Sequence, residues 1–197
     1  MEVFEAIKKR RSIRKYKPDK IPEKDLKEIL EAARLAPSAH NWQPWRFIIV
    51  RDEVQKKLVG ETALSHQLFV GDAGSIVVAI ADPGARPTTG KGARPKSYWV
   101  NRNVEWFKMD VMIAIEHMVL TAESLGYGTC WIGTFEEEQV KRILDIPEEM
   151  TVVALLPIGV PNEESRPRSI KDFSEIFYGE KYGEKINLRA RENQRVC

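Results

Sequence analysis

Three arginines and a serine fall within five residues at the start of the chain, Arg10, Arg11, Ser12 and Arg14 in "RRSIRKY". If the chain runs extended there, side chains alternate, so Arg10, Ser12 and Arg14 share one side and Ile13 turns to the core. Two guanidiniums and a hydroxyl on one side suit a phosphate, because arginine offers a planar fork of donors. A basic helix end that complements the helix dipole accounts for Arg10 and Arg11 alone, and leaves Ser12 and Arg14 unexplained. Late in the chain "ESRPRS" (164–169) repeats the theme. Pro167 favours extended backbone, so Arg166 and Arg168 share a face and form either a second anion-binding arm or solvated surface.

Two further stretches suit a flat heterocycle. "PSAHNWQPW" (37–45) sets Ser38, Asn41 and Gln43 in a turn bracketed by Pro37 and Pro44. Carboxamides present donor and acceptor together, matching a ring edge of alternating C=O and N–H groups. Trp42 and Trp45 are read as anchors of that turn in the core. "GTCWIG" (128–133) has glycines that let backbone approach a flat ligand. The competing reading is a buried strand in which Cys130 is a small apolar residue.

Self-sufficient catalytic constellations are missing. The histidines, His40, His66 and His117, are far apart, and neither C-x-x-C nor G-x-S-x-G occurs. In "GYGTCWIG" Trp131 stands where a dinucleotide fingerprint needs its third glycine. An enzyme built this way leaves its difficult chemistry to a bound organic cofactor.

Composition narrows the classes. The chain has 197 residues, enough for one domain with a real core, and a net charge of +2 from 31 basic and 29 acidic residues. That balance, without aromatics interleaved for stacking, argues against a nucleic-acid partner. Two cysteines point to a reducing compartment. Glu2 and Glu5 interrupt the first residues, so no secretory leader is readable, and no apolar run approaches the roughly 20 residues of a membrane span. The expectation is a cytoplasmic protein that binds no membrane.

Elements must position these stretches. Val3, Phe4 and Ile7 predict a helix over 2–10. Pro22 opens a second, with Leu26, Ile29, Leu30 and Ala33 on one face, ending near Ala36 before Pro37. Apolar runs at 45–50, 75–81, 129–133 and 151–160 predict strands, and 52–59, 62–70 and 135–144 short helices. The stretch 104–125 is apolar almost all round, which predicts a helix buried in a core or between subunits. Apolar strands separated by helices imply one sheet covered on both faces. Residues 83–103 form a long basic loop (Arg86, Lys91, Arg94, Lys96, Arg102), usually a functional feature. The tail from 162 has aromatics but no core of its own.

In order along nearly the whole chain, the four motif stretches resemble the nitroreductase-like family of FMN-dependent flavoproteins. R-R-S-x-R matches Arg10, Arg11, Ser12 and Arg14. P-S-x-x-N-x-Q-P-W matches Pro37, Ser38, Asn41, Gln43, Pro44 and Trp45. G-x-G-T-C-W-I-G matches 126–133, and the late R-x-R matches Arg166 and Arg168. The resemblance implies an α+β fold, a three-layer α-β-α sandwich, as one domain over 1–197 with a lid at about 83–103 and a C-terminal arm from about 162. It implies a homodimer with FMN in two interfacial clefts. Hydride would pass from NAD(P)H to the flavin and on to a small flat acceptor by a ping-pong mechanism. By position, Arg10, Arg11, Ser12, Arg14, Arg166 and Arg168 would hold the phosphate and ribityl chain. Pro37, Ser38, Asn41 and Gln43 would line the ring or ribityl chain, Ile132 and Gly133 would bring backbone to its reactive nitrogen, and Gln67 is a looser match. No catalytic side chain or metal is implied. A flavin-binding protein without turnover, or the same fold doing reductive dehalogenation or oxidising its flavin, are the alternatives.

Overall fold

The computed structural model describes residues 1–85, 105–164 and 167–187. Most of the basic loop at 83–103 therefore lies outside the described residues, as does Arg166. The chain divides into two compact units, residues 1–165 and 166–197.

The first unit is built on a four-stranded sheet of order β1-β2-β4-β3, with β1 Trp45–Val50, β2 Ser75–Ala81, β3 Gly128–Thr129 and β4 Thr151–Gly159. All neighbours are antiparallel. The strands are nevertheless apolar along their length, because helices cover both faces. On β2, Val77, Ala79 and Ala81 join one core cluster, while Ile76, Val78 and Ile80 join the other. A register shift opposite Ala79 and Ile80 leaves Val153 of β4 as an extra residue, so Val152 faces one core and Val153 and Ala154 both meet the other.

One face carries α2 (Glu23–Arg34) and α4 (Trp106–Ser124). Leu26, Ile29 and Ala33 of α2 pack with Val111, Ala114, Ile115 and Met118 of α4. The other face carries α3 (Glu53–Glu61), the 3-10 segment Ser65–Asp72 and α5 (Glu137–Leu144), through Val59, Val70 and Val140. This is the three-layer arrangement expected from the sequence. α1 (Val3–Lys9) lies against α4.

Most differences from sequence expectation concern ends. The helix predicted over 62–70 begins only at Ser65 and is a 3-10 segment, because Gly60 and Gly71 bring their backbones together. A Cβ on Gly60 would stand 2.6 Å from the Gly71 nitrogen. The strand predicted over 129–133 pairs only at Gly128–Thr129 and touches β4 again at Ile132, opposite Leu155. The helix predicted over 104–125 is apolar all round, as read, but only half is buried. Trp106, Met109, Met112 and Ile113 are exposed.

In the second unit α6 (Phe173–Ile176) is closed by a capping box between Asp172 and Glu175. Phe173 stacks on Phe177 at 4.3 Å and Tyr178 on Tyr182 at 4.7 Å, and Phe173, Ile176, Phe177 and Tyr182 are exposed. No residue of α6 is buried.

Candidate functional site

The arginine segment leaves α1 at Arg10, whose N–H closes the helix on the Ala6 carbonyl and whose ψ of 129° turns the chain extended. It then runs beside β3 and past the end of β4. Ile13 N–H donates to the Thr129 carbonyl, Lys17 N–H to Val160, and Asn162 N–H to Lys15, each at 2.9 Å. Alternation follows. Ile13 and Tyr16 are buried, Arg14 is exposed, and Arg10 and Ser12 are half-buried. Ile13 can seat itself only because position 128 is glycine: a Cβ there would lie 2.5 Å from its Cγ1.

Arg11 is turned to another task. Its Nη1 donates to the carbonyls of Lys8 (2.7 Å), Lys9 (3.1 Å) and Arg10 (2.8 Å), neutralising the C-terminal end of α1. The helix-end reading thus fits Arg11, while Arg10, Ser12 and Arg14 converge elsewhere. Their meeting point is marked by Cys130, the residue after Thr129. Burial pushes its thiol up, and the charge of Arg14, a hydrogen bond from Ser12 and the charge of Arg10 pull it back. Burial likewise raises the Glu123 carboxyl on α4, against the pull of Arg10, Arg11 and Lys9.

One residue here escaped sequence reasoning. Glu163 Oε1 accepts the backbone N–H of Arg14 and, at 3.1 Å, that of Lys15. Two consecutive amides on one carboxylate show that this backbone, like its side chains, favours an anion. The only hint in the sequence is the neighbouring "ESRPRS".

The second cluster is the turn before β1. His40, Asn41 and Gln43 take φ values of 49°, 56° and 51°. Ser38 Oγ accepts the Gln43 N–H at 2.9 Å, and Asp110 Oδ1 of α4 accepts the Ala39 N–H at 3.0 Å. Gln43 Nε2 donates to Asn41 Oδ1 at 3.2 Å, so the two carboxamides stand side by side. Trp45 is buried and Trp42 half-buried, consistent with anchoring, and Pro37 is exposed.

The remaining candidates differ in what they leave open. Ile132 is buried and exchanges both backbone hydrogen bonds with Leu155 at 3.0 Å, so its own amide is committed to the sheet. Gly133, next to it, is exposed, and a Cβ there would meet nothing within 4 Å. Gln67 carries a buried Oε1 without a hydrogen-bond partner, an acceptor that calls for a donor. Arg168 is exposed in the second unit. Among the described residues no cluster of His, Cys, Asp or Glu could hold a metal ion, and no helix is long and apolar enough to cross a membrane.

The structure does not bring the arginine segment and the carboxamide turn together within one chain. Asp110, bonded to the turn, and Glu123, in the field of Arg10 and Arg11, are thirteen residues apart on the unbroken helix α4, about 20 Å at 1.5 Å per residue. The sheet agrees. Trp45 pairs with Ala81 at the Thr151 end of β4, whereas Thr129, which bridges Ser12, pairs with Ile158 at the other end.

The chain is an α+β sandwich with an arginine-rich segment at one sheet edge and a carboxamide turn with positive φ at the other, and the comparisons place it in a family. The sequence model of the Nitroreductase family matches residues 7–160, so the chain belongs to the nitroreductase family and is an oxidoreductase. It is 35% identical over 178 residues to a putative NADH dehydrogenase/NAD(P)H nitroreductase of Archaeoglobus fulgidus, covering 88% of this chain and 90% of that one. Among solved structures it resembles a nitroreductase family protein of Clostridium novyi NT, with a TM-score of 0.72, 34% identity, and coverage of 94% and 97% of the two chains. It also resembles an FMN-dependent nitroreductase of Clostridium difficile R20291, with a TM-score of 0.73, 26% identity, and coverage of 90% and 98%.

Proposed function

We propose that the protein is an FMN-dependent oxidoreductase that takes hydride from NAD(P)H and passes it to a small flat acceptor such as a quinone or nitroaromatic. The observation that carries this reading is that Arg10, Ser12 and Arg14 all act on Cys130 from extended backbone whose amides already donate to a carboxylate. The fit to a flavin is supported by the unpaired Gln67 Oε1, by the open space at Gly133 and by the paired carboxamides of Asn41 and Gln43. FMN, rather than FAD, suits a cradle with a phosphate at its end.

In this reading Arg10, Ser12 and Arg14 hold the phosphate; the same task for Arg166 and Arg168 rests on their motif alone. Ser38, Asn41, Gln43, Gln67 and the Gly133 backbone orient the ring. The bound flavin supplies the two-electron carrier. No side chain need titrate during turnover, and the protein's part is to position the ring and exclude water.

The distance between the two clusters supports a homodimer. A ribityl phosphate cannot span the length of α4, so the arginine segment of one protomer is completed by the carboxamide turn of another. The exposed apolar residues of α1 and α4, Val3, Phe4, Ile7, Trp106, Met109, Met112 and Ile113, supply the surface such a contact buries. The compartment proposed is the cytoplasm.

Purified protein should absorb as a flavoprotein and release FMN on denaturation. FAD as the main extract would remove the phosphate assignment. NADH and NADPH oxidation across quinone, nitroaromatic and aryl halide acceptors should give parallel double-reciprocal lines, because donor and acceptor use one ring face in turn. Intersecting lines would mean both bind at once.

A further inference from the structure

We propose that Asp110 is a positioning residue: it holds the 38–43 turn in the strained shape that presents Asn41 and Gln43 to the ring. The assignment rests on the flavin reading above. Asp110 is a lone acid on the buried face of an apolar helix, 6% exposed between the exposed Met109 and the buried Val111 and Ala114. Among the described residues no cation pairs with it. Among the described residues its hydrogen-bond partner is the Ala39 N–H, at 3.0 Å. Burial pushes its carboxyl up and that amide pulls it down, as expected of an acid kept for the sake of one hydrogen bond.

The turn it meets needs holding. Three non-glycine residues within four positions have positive φ, each a conformation that L-residues adopt at a cost. Such a shape persists only where the surroundings over-determine it. Inside the turn Asn41 N–H donates to the Ser38 carbonyl at 3.0 Å and Trp42 N–H to that of Ala39 at 3.1 Å, and two side-chain tethers add to them: Ser38 Oγ fixes the far end through the Gln43 amide, and Asp110 fixes the near end through Ala39. Without Asp110, a half-buried amide loses its acceptor and the turn keeps fewer restraints, so the carboxamides drift from each other. A carboxylate is suited to the task because a hydrogen bond to an ionised acceptor is stronger than one to a neutral group.

The test compares Asp110→Ala, which removes the acceptor, with Asp110→Asn, whose side-chain oxygen can still take the Ala39 N–H. FMN and riboflavin are titrated into apo protein, and amide exchange is followed over residues 39–43. Asp110→Ala should weaken FMN and riboflavin by the same factor, about tenfold, and speed exchange in the turn, while Asp110→Asn restores most of both. If Asp110→Ala melts too low to titrate, Asp110→Ser, whose hydroxyl falls short of the Ala39 amide, takes its place. Wild-type affinity for both flavins, a loss confined to FMN, or no rescue by Asn would overturn the assignment while leaving the flavin reading intact. A wild-type protein that takes up no flavin overturns both.

Discussion

The arginine segment and the carboxamide turn, the two halves of the proposed flavin site, are held in shape by opposite means. Residues 12–17 lie on regular extended backbone, held by hydrogen bonds to Thr129 and Val160 and packed through Ile13 and Tyr16. Their polar side chains point as an extended chain must point them. The turn has no ladder to lean on. Its shape rests on two short-range backbone hydrogen bonds, on two side-chain oxygens and on positive φ at three non-glycine residues. The first half is held by the sheet, so loss of one polar side chain should leave its backbone in place. The second should loosen when one acceptor, that of the Ala39 N–H, is removed.

The largest effect should come from the arginine half. Arg14→Ala removes a charge-assisted contact of about 1.5–3 kcal/mol, so FMN should bind roughly ten- to hundredfold more weakly while riboflavin is unaffected. Equal loss for both flavins would mean that Arg14 shapes the site rather than meeting the phosphate, and the contrast between the halves would collapse. Gly128→Ala tests the packing beneath the same segment. Its Cβ would fall 2.5 Å from Ile13, and overpacking of this kind costs about 1–3 kcal/mol. A lower urea midpoint with weaker FMN binding is expected, and an unchanged midpoint would show that Ile13 is not what seats the strand.

Tyr127 links the two regions, since it precedes Gly128 and its hydroxyl donates to Asp25 of α2, the helix that leads into the turn, at 2.6 Å. Burial, and then that carboxylate, push its hydroxyl up to about 12 from an ordinary 10. The raised value means the native state keeps this proton longer than the unfolded chain. Its stabilisation is therefore full below pH 10 and fades as pH rises through 12. Tyr127→Phe should cost about 1 kcal/mol at neutral pH and flatten the alkaline limb of a melting-temperature profile. A profile as steep as wild type would place that titration elsewhere.

The smallest effect on stability belongs to Gly133→Ala. Nothing lies within 4 Å of the added methyl, so melting should stay within about 0.5 kcal/mol of wild type. Flavin affinity should nevertheless fall, because the methyl occupies space assigned to the ring. Unchanged affinity would move the ring away from this backbone.

Much of this was legible because local rules and tertiary burial agreed. The apolar face of α2 and the apolar run of β2 appear as read, and the alternation of Arg10, Ser12, Ile13 and Arg14 needed only that the chain be extended. The same rules failed where distant chain segments supply the partner. Arg11 is a local case: it was grouped with its neighbours, but its Nη1 meets the carbonyls of Lys8, Lys9 and Arg10 at the end of α1. Asp110 carried no signal and Glu163 only that of the adjacent "ESRPRS", since Asp110 meets an amide 71 residues away in sequence and Glu163 meets two at 148 and 149. Positive φ at His40, Asn41 and Gln43 is invisible in a stretch without glycine.

The sequence by itself determined the layer order, the apolar strands and the chemical types at both ends of the site, because periodicity, proline and charge act within a few residues. Only the tertiary structure decided that the two ends lie apart along α4, that Ile132 spends its amide on Leu155 while Gly133 stays open, and that an acid on a distant helix holds the turn. Those are consequences of where a straight helix and an antiparallel ladder carry the chain, and no local propensity encodes distances of that length.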